Sequence, residues 1–326
     1  MKSRITTVAI SAVAIAALAG CSTTGTAPAG SEGAEGAFEP TDVRMIVPFA
    51  AGGGSDVSGR AIAGGLEDAT GATITTENRE GGSGAVGYSH FLAQEGNGNY
   101  LLAAETALLA LPLTTDVEFN YESFTPIMKL GDDYTLVVVP GDSEFQTCTD
   151  VVDAARGDDG VVVAVSGAVS LDEVVFTLIE QDQDVEFDRV PFEGGSEVIA
   201  GLLGGTVEVG SLNPSEVLGQ LESGDLRALC ALSADRYEYE QIAEVPTAVE
   251  QGIDVAFAQW RGFIAPGGIS DEARQYWIDA AEEFQASEAY TAYIEDNLMQ
   301  PNALYGDEFV EYLAQNSADL EAVVSQ

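Results

Sequence analysis

The sequence predicts an α/β protein, because strand-like and helix-like segments alternate along most of the chain. Short β-branched runs such as VRMIVPF (43–49) are followed by glycine-rich turns and then by amphipathic segments. The composition is that of a globular protein, with 46% apolar residues and 36 glycines among 326 residues. Such alternation is typical of parallel sheets covered by helices. Two α/β lobes joined by strand crossovers are permitted, but not required, by this pattern.

The predicted elements start at Asp42 and follow one another in order. Strands are predicted at 43–49, 72–78, 99–105, 134–140, 160–167, 186–192 and 225–233. Helices are predicted at 55–70 with Ser55 as N-cap, at 84–95, from Ser170 onward, at 274–285 and at 307–324. Since Val139 and Pro140 end one strand and lead into a second set, we place one lobe at 41–140 plus 258–326 and the other at 141–257.

The N-terminus has the pattern of a secretory signal. Two positive charges in the first four residues precede the apolar run ITTVAISAVAIAALAG. The run is too short and too rich in small residues for a convincing membrane span, although a retained anchor helix is the alternative. It ends LAGC, which resembles the lipobox of bacterial lipoproteins and implies cleavage before Cys21 and lipidation of its thiol. Residues 1–20 are thus predicted to be a signal peptide, and 21–40, rich in Gly and Ala, a flexible tether.

The charge excludes some classes of function. The chain has 54 acidic against 12 basic residues, a formal net charge of -42. Nucleic acids and anionic membrane surfaces are unfavourable partners for such a polyanion, because phosphate binding needs clustered Lys and Arg. Solubility in a salty medium is the simpler interpretation, and a specific cationic partner is the alternative.

Cysteine and histidine usage gives little support for metal binding or catalysis. Cys148 and Cys230 favour one disulfide in an exported protein, while two separate buried thiols remain open. His90 is the sole histidine and no CxxC occurs, so we predict no metal or cofactor. A G-x-S-x-G elbow is absent and nothing selects a carboxylate pair. We therefore predict no enzymatic activity; an exported hydrolase using an Asp/Glu pair is the alternative.

Four strand-to-helix turns rich in Gly and Ser are candidate binding elements: PFAAGGGSD (48–56), ENREGGSGAVG (77–87), VSGAVSLDE (165–173) and VPFEGGSEV (190–198). The first fails the Walker A pattern, since Ser55 and Asp56 follow its glycines, and it fails the dinucleotide fingerprint, since Val57 stands where the third glycine is needed. Such turns present free N–H groups to an anion, at the strand ends where open α/β sheets bind ligands. Asp56 can equally complement a helix dipole.

The order of the motifs resembles one family, the substrate-binding proteins of tripartite tricarboxylate transporters, also called the Bug family. The resemblance runs from about Val43 to the C-terminus through IVPFAAGGGSDVSGRAIA, ENREGGSGAVG, VPFEGGSEVIAGLLGGTVEVG, LESGDLRALCALSADR, VPTAVEQG and WRGFIAPGGISDEA. It implies a type II periplasmic-binding-protein fold. In this fold two lobes, joined by a hinge of strand crossovers, close over a small carboxylate in the manner of a Venus flytrap.

The resemblance also implies a set of ligand-binding residues, which hold carboxylates through backbone amides and hydroxyl groups. They are Phe49, Ala50, Gly53, Gly54, Ser55, Asp56, Ser83, Gly84 and Thr106 in the first lobe, and Ser166, Gly167, Ser170, Phe192, Gly194 and Ser196 in the second. Two departures are Glu80, where the family usually has Pro, and Ala168-Val169 in place of Gly or Ser. The second removes polar contacts, so the identity of the carboxylate is not implied.

From these residues and this resemblance we expect an extracytoplasmic, lipid-anchored, monomeric solute-binding protein. It would deliver a di- or tricarboxylate, or a related organic acid, to the integral membrane permease subunits of such a transporter. A ligand sensor without a transport role is a further alternative.

Overall fold

The computed structural model describes residues 37–158, 160–165, 170–192 and 194–324, and its strands form three sheets. The strands are β1 (Val43–Val47), β2 (Ile74–Asn78), β3 (Tyr100–Glu105), β4 (Phe124–Tyr134), β5 (Leu136–Pro140), β6 (Val162–Val165), β7 (Asp188–Pro191), β8 (Gly210–Leu212), β9 (Leu226–Ala231), β10 (Ala258–Pro266) and β11 (Gln300–Tyr305). The helices are α1 (Gly54–Thr70), α2 (Ala85–Leu92), α3 (Ala107–Thr114), α4 (Cys148–Ala155), α5 (Leu171–Gln183), α6 (Gly195–Leu203), α7 (Pro214–Ser223), α8 (Asp271–Gln285), α9 (Glu288–Asp296) and α10 (Gly306–Val324).

The first lobe is the part that carries the six-stranded sheet, of order β11-β4-β10-β3-β1-β2. Strand β1 pairs in parallel with β2 and β3, which confirms the predicted parallel arrangement for these strands. The prediction is wrong for the other half of the sheet, because β10 runs antiparallel to β3 and β4, and β11 antiparallel to β4. Helix α1 packs on this sheet through Ile62 and Leu66, both fully buried.

The second lobe carries the antiparallel sheet β8-β5-β9 and the parallel pair β6-β7. We predicted that residues up to Pro140 belong to the first lobe, and the strand pairing corrects this boundary. Leu136 at the start of β5 pairs with Leu212 and Ala231, so the change of sheet falls at Thr135. The pattern of apolar residues in the sequence does not reveal this change of sheet, because only one residue separates the end of β4 from the start of β5.

Two neighbouring strands carry the chain between the lobes. Strand β4 runs through Thr135 into β5, and the chain returns at Ala258 in β10, which pairs with Tyr134. Helix α10 packs against β4 and α3 of the first lobe and against α5 of the second. The predicted two-lobed α/β fold with a hinge of strand crossovers is thereby confirmed.

Cys148, at the start of α4, and Cys230, in β9, are joined by a disulfide with their Cα atoms 6.0 Å apart. Both residues are buried within the second lobe, so the bond staples one lobe without crossing the hinge. The predicted signal peptide and the lipidation site Cys21 lie outside the described residues. Across the described ranges, no helix is at once long and apolar enough to cross a membrane.

Candidate functional site

A cavity of about 440 Å³ lies between the two lobes. Its walls come from both sides and from the hinge residue Thr135. The first lobe contributes Phe49, Ser83, Glu105, Thr106, Ala107, Ala110, Leu111 and Gln259, and the second contributes Ser170, Leu171, Asp172, Val174, Gly195, Ser211, Leu212, Asn213 and Glu216. This volume accommodates a small organic molecule, since drug-sized ligands occupy pockets of roughly 300–1,000 Å³.

Four helices begin at this cavity. Thr106 precedes α3, Ser170 is the N-cap of α5, Gly195 starts α6 and Asn213 is the N-cap of α7. The first N–H groups of a helix have no partner within the helix, and the helix dipole places partial positive charge there. The convergence of these N-termini from both lobes makes the cavity suited to an anionic group.

The glycine loop after β1 is held in place by Asp56. Its Oδ2 accepts hydrogen bonds from the Gly52 N–H (2.9 Å) and the Arg60 Nε (3.0 Å), and its Oδ1 accepts from Asn78 Nδ2 (2.9 Å). Asn78 Nδ2 also donates to the Phe49 carbonyl (3.1 Å). The hydrogen bond from Arg60, with those from the loop and Asn78, lowers the pKa of Asp56 to about 2. Asp56 is thus ionised and stabilises the glycine loop through hydrogen bonds, and it does not line the cavity.

Ser55 does not cap α1 as predicted, because the helix starts at Gly54 with Gly53 as its N-cap. The buried Ser55 hydroxyl instead donates to Glu105 Oε2 (2.5 Å) at the end of β3. Arg261 of β10 donates to the same carboxylate oxygen (2.6 Å). This arrangement ties the glycine loop to the central strands of the first sheet.

Arg261 continues the network towards the second lobe. Its Nη2 donates to Asp133 Oδ2 (3.3 Å) on β4, and Asp133 Oδ1 accepts from Asn213 Nδ2 (2.7 Å) at the start of α7. Burial raises the pKa of Asp133, against the opposing effect of the Arg261 charge. Burial opposes the charged form of Arg261 too, but Glu105 and Asp133 hold its pKa above the ordinary value. A hydrogen-bonded chain beside the cavity therefore runs from Glu105 through Arg261 and Asp133 to Asn213 and connects the two lobes.

The second glycine turn supports the aromatic wall of the cavity. Gly82, Ser83 and Gly84 all have positive φ (57°, 53° and 102°), a backbone conformation that favours glycine. A Cβ on Gly84 would lie 3.1 Å from Phe49 Cζ, so glycine permits this ring to pack on the turn. Phe49 and Ser83 both line the cavity.

The structure brings some of the predicted site residues together and leaves others apart. Phe49, Ser83, Thr106 and Ser170 line the cavity. Gly54 lines a small adjoining cavity of about 50 Å³ beside Arg261 and Asp133. The predicted residues that do not line the main cavity are Ala50, Gly53, Ser55, Asp56, Gly84, Phe192, Gly194 and Ser196; Ser166 and Gly167 lie outside the described residues.

Phe192 and Ser196 are placed away from the cavity for identifiable reasons. The Phe192 ring packs under α6, where a Cβ on Gly201 would lie 2.7 Å from its Cζ. Ser196 is exposed on the second residue of α6, whereas Gly195 before it faces the cavity.

Sequence reasoning missed most polar residues of the cavity. They are Glu105, Thr135, Asp172, Ser211, Asn213, Glu216 and Gln259, and Asp133 and Arg261 line the small adjoining cavity. Two of them lie close to predicted residues in the sequence: Glu105 directly precedes Thr106, and Asp172 is two positions after Ser170. Signals for Asn213 and Glu216 were present as an N-x-x-E capping box before an apolar helix face.

A second cavity, of about 650 Å³, is larger but of different construction. It lies between residues 235–239 and the elements α9 and β11, next to the hydrogen bond from Tyr239 Oη to the Met299 carbonyl (2.6 Å). No helix of eight or more residues begins among its described lining residues. The cavity between the lobes is therefore the better candidate for a charged small ligand. Within the described part of the chain, no three His, Cys, Asp or Glu side chains are grouped as metal ligands.

Two lobes, a hinge of two strands and a cavity at converging helix N-termini define the class of extracytoplasmic-type solute-binding proteins. The family model of the tripartite tricarboxylate transporter family receptor matches residues 59–326. The chain therefore belongs to this family.

Individual relatives and structures agree with this assignment. Protein BugT of Bordetella pertussis is 28% identical over 232 residues, which cover 69% of this chain and 71% of BugT. A TctC solute-binding protein from Polaromonas, solved without ligand, is 26% identical with a TM-score of 0.75 and covers 87% of this chain and 98% of its own. An R. palustris protein solved with adipate has a TM-score of 0.77 at 23% identity and covers 87% and 96%.

Proposed function

We propose that this receptor captures a small organic acid in the cavity between its lobes and delivers it to the membrane permease of a tripartite tricarboxylate transporter. One observation carries the proposal: the N-termini of α3, α5, α6 and α7 converge on one cavity of about 440 Å³. Backbone N–H groups at helix N-termini are suited to a carboxylate. The R. palustris protein with adipate supports the class of ligand.

The walls suit recognition without chemistry. Hydroxyl groups of Ser83, Thr106 and Ser170 lie at turns or helix starts, and Leu111 and Val174 supply apolar surface for a carbon skeleton. His90, the single histidine of the chain, is not among the described residues that line the cavity. We therefore assign the protein a binding role and no catalytic one.

A thermal-shift screen with di-, tri- and amino-carboxylates tests the proposal. A ligand at 100 times its Kd stabilises the folded protein by about 2.7 kcal/mol. Replacing Ala107 in the cavity wall by tryptophan fills the cavity and should abolish the shift. The matched control is Ala314→Trp on the exposed face of α10, which should keep it. If no acid in the panel stabilises the wild-type protein, the proposed function is wrong.

We further propose that the mature protein is extracytoplasmic and held at the membrane by a lipid on Cys21. The motif LAGC after an apolar run supports this localisation. Mass spectrometry of protein from the membrane fraction should find Cys21 as a lipidated N-terminus, and a Cys21→Ala variant should leave that fraction. An N-terminus that still carries residues 1–20 would contradict the proposal.

A further inference from the structure

The turn between α9 and β11 has a backbone conformation that its sequence does not favour. Leu298 in this turn has a positive φ of 52°, in the left-handed region that favours glycine. Among the described residues, the others apart from glycine with a positive φ are polar, namely Asp42, Ser83 and Asp184. A leucine in this conformation is therefore unusual and calls for a physical reason.

The hydrogen bonds of the turn are those of a common type of helix end. The Leu298 N–H donates to the Glu295 carbonyl (3.0 Å), and the Met299 N–H donates to the Ile294 carbonyl (3.0 Å). Glycine usually occupies the left-handed position of this motif. The leucine at this position indicates that its side chain contributes a contact that outweighs the unfavourable backbone conformation.

The Leu298 side chain lies in the core of the second lobe, although the turn belongs to the first lobe. Helix α9 packs on α1 and α8, and β11 pairs with β4 in the six-stranded sheet. Leu298 is 4% exposed, and the other buried members of its hydrophobic cluster in the described chain all lie between Leu136 and Ile242. Leu298 is therefore an apolar contact between the two lobes.

Two hydrogen bonds connect the lobes at the same place. Tyr239 Oη of the second lobe donates to the Met299 carbonyl (2.6 Å), and Gln300 Nε2 of β11 donates to the Asp235 carbonyl (3.5 Å). We call residues 297–300, with these contacts to the second lobe, the interlobe latch. It supplements the two strands that carry the chain between the lobes.

The interlobe latch adjoins a wall of the cavity between the lobes. Asn297 and Met299 line the small cavity of about 50 Å³ together with Asn213 and Glu216 at the start of α7. Asn213 and Glu216 also line the cavity between the lobes. A displacement of the second lobe away from the latch would therefore move two residues that line this cavity.

We propose that the interlobe latch sets the ligand affinity of this receptor from outside the cavity. It holds the second lobe in the arrangement in which both lobes line one cavity, so Tyr239 and Leu298 act as positioning residues. This inference rests on the proposed function, because the affinity concerned is that of the cavity between the lobes. For a ligand that needs both lobes, the apparent Kd rises by the factor by which this arrangement becomes less populated.

Two variants weaken the latch without changing a residue that lines the cavity between the lobes. Tyr239→Phe removes the hydrogen bond to the Met299 carbonyl and keeps the ring. Leu298→Gly removes the apolar contact and leaves a residue that suits the turn. Tyr290→Phe is the matched control, because Tyr290 Oη donates to the Leu130 carbonyl (2.7 Å) within the first lobe. Both tyrosine variants lose one hydrogen bond to a carbonyl, so their thermal stability should fall by similar amounts.

Double electron–electron resonance measures the arrangement of the lobes without any ligand. Spin labels on Asp68→Cys of α1 and Glu222→Cys of α7, both at exposed positions, report the distance between the lobes in a Cys21→Ala background. Cys148 and Cys230 are joined in a disulfide and do not take up the label.

The latch variants should populate distances that differ from the main distance of the wild-type protein. The ratio of altered to wild-type distances should rise about threefold or more in Tyr239→Phe, since one hydrogen bond is lost. It should rise about tenfold or more in Leu298→Gly, since a buried apolar contact is lost. The ratio should stay unchanged in Tyr290→Phe.

Isothermal titration with succinate, glutarate, adipate and citrate completes the test. For an acid that binds the wild-type protein, the Kd should rise in each latch variant by the factor by which the wild-type distance becomes less populated. The Kd should stay unchanged in Tyr290→Phe.

Unchanged distances in both Tyr239→Phe and folded Leu298→Gly would overturn the inference and leave the proposed function standing. An unchanged or lower Kd despite altered distances, or an equal rise of the Kd in Tyr290→Phe, would overturn the role of the latch in affinity. If the distances change but none of the acids binds the wild-type protein, the proposed function fails, and the role in affinity fails with it.

Discussion

Replacing Arg261 by methionine should destabilise the protein strongly, because it removes the single guanidinium from between two buried carboxylates. Glu105 and Asp133 have side chains that are 9% and 7% exposed, and Arg261 is 11% exposed. Removing one partner of a buried pair typically costs about 3–5 kcal/mol, chiefly because a charge is left without compensation. With two carboxylates left behind, we expect a loss of about 4 kcal/mol at pH 7.

Urea denaturation followed by circular dichroism measures this loss. Arg156→Met is the matched control, because the Arg156–Asp153 pair is exposed and should be worth less than about 1 kcal/mol. Adding Glu105→Gln to Arg261→Met should restore part of the stability, since one uncompensated charge is removed.

The loss should also depend on pH. A carboxyl group whose folded pKa lies above its unfolded value contributes stability at low pH and loses it as pH rises. Burial already raises the pKa of Asp133, and removal of Arg261 takes away the charge that opposes this rise. The deficit of Arg261→Met should therefore shrink as pH falls from 7 towards 4. A deficit below about 1 kcal/mol at pH 7, or one that grows on acidification, would refute the reasoning.

Three further predictions concern the loop and the disulfide. Asp56→Asn should lower the free energy of unfolding by about 2 kcal/mol at pH 7, because the pKa of Asp56 is about 2 in the folded protein in place of the ordinary 3.8. This stability is lost as pH falls from 4 to 2, so urea denaturation across that range should show a weaker pH dependence of stability for the variant. Replacing Cys148 and Cys230 by serine should lower stability by about 4 kcal/mol, since the bond closes a loop of 82 residues; two alkylatable thiols in the unreduced, denatured protein would show that the bond is absent. Gly54→Val should weaken ligand binding about tenfold or more in isothermal titration, because its Cβ would lie 2.9 Å from Nη2 of the buried Arg261. In the control variant Gly64→Val the new Cβ would have no atom within 4 Å, and ligand binding should be unchanged.

Much of the fold was predictable because its parallel strands are short, β-branched and bounded by turns. Strands β1 and β2 follow that pattern, and β3 (YLLAAE) is a short apolar run. All three strands, and helices α1 and α5, lie where the sequence predicts them. Strand β4 was missed because FTPIMKLGDDY combines a proline, a glycine and three charges, which disfavour a strand by propensity. Lys129 in this strand is fully buried, and its Nζ forms an ion pair with Asp132 Oδ1 at 2.7 Å. The sequence does not show that this charge is compensated, because the ion pair forms only when the chain folds.

The missed strands explain why Asp133 and Arg261 were not predicted. Asp133 and Arg261 lie on β4 and β10, and they meet Glu105 only because these antiparallel strands pair beside β3. Of the predicted residues, Phe49, Ser83 and Ser170 from the glycine turns, and Thr106, line the cavity that we propose as the binding site. The charge of the cavity could not be predicted from them, because it depends on which of 54 acids face inward.

The most direct test of a binding site between the lobes is a crystal structure with the tightest ligand from the carboxylate panel. The account predicts the ligand within hydrogen-bond distance of groups from both lobes, Ser83 or Thr106 on one side and Ser170 or Asn213 on the other. A ligand bound instead in the cavity beside Tyr239 and Met299, or touching one lobe alone, would contradict it.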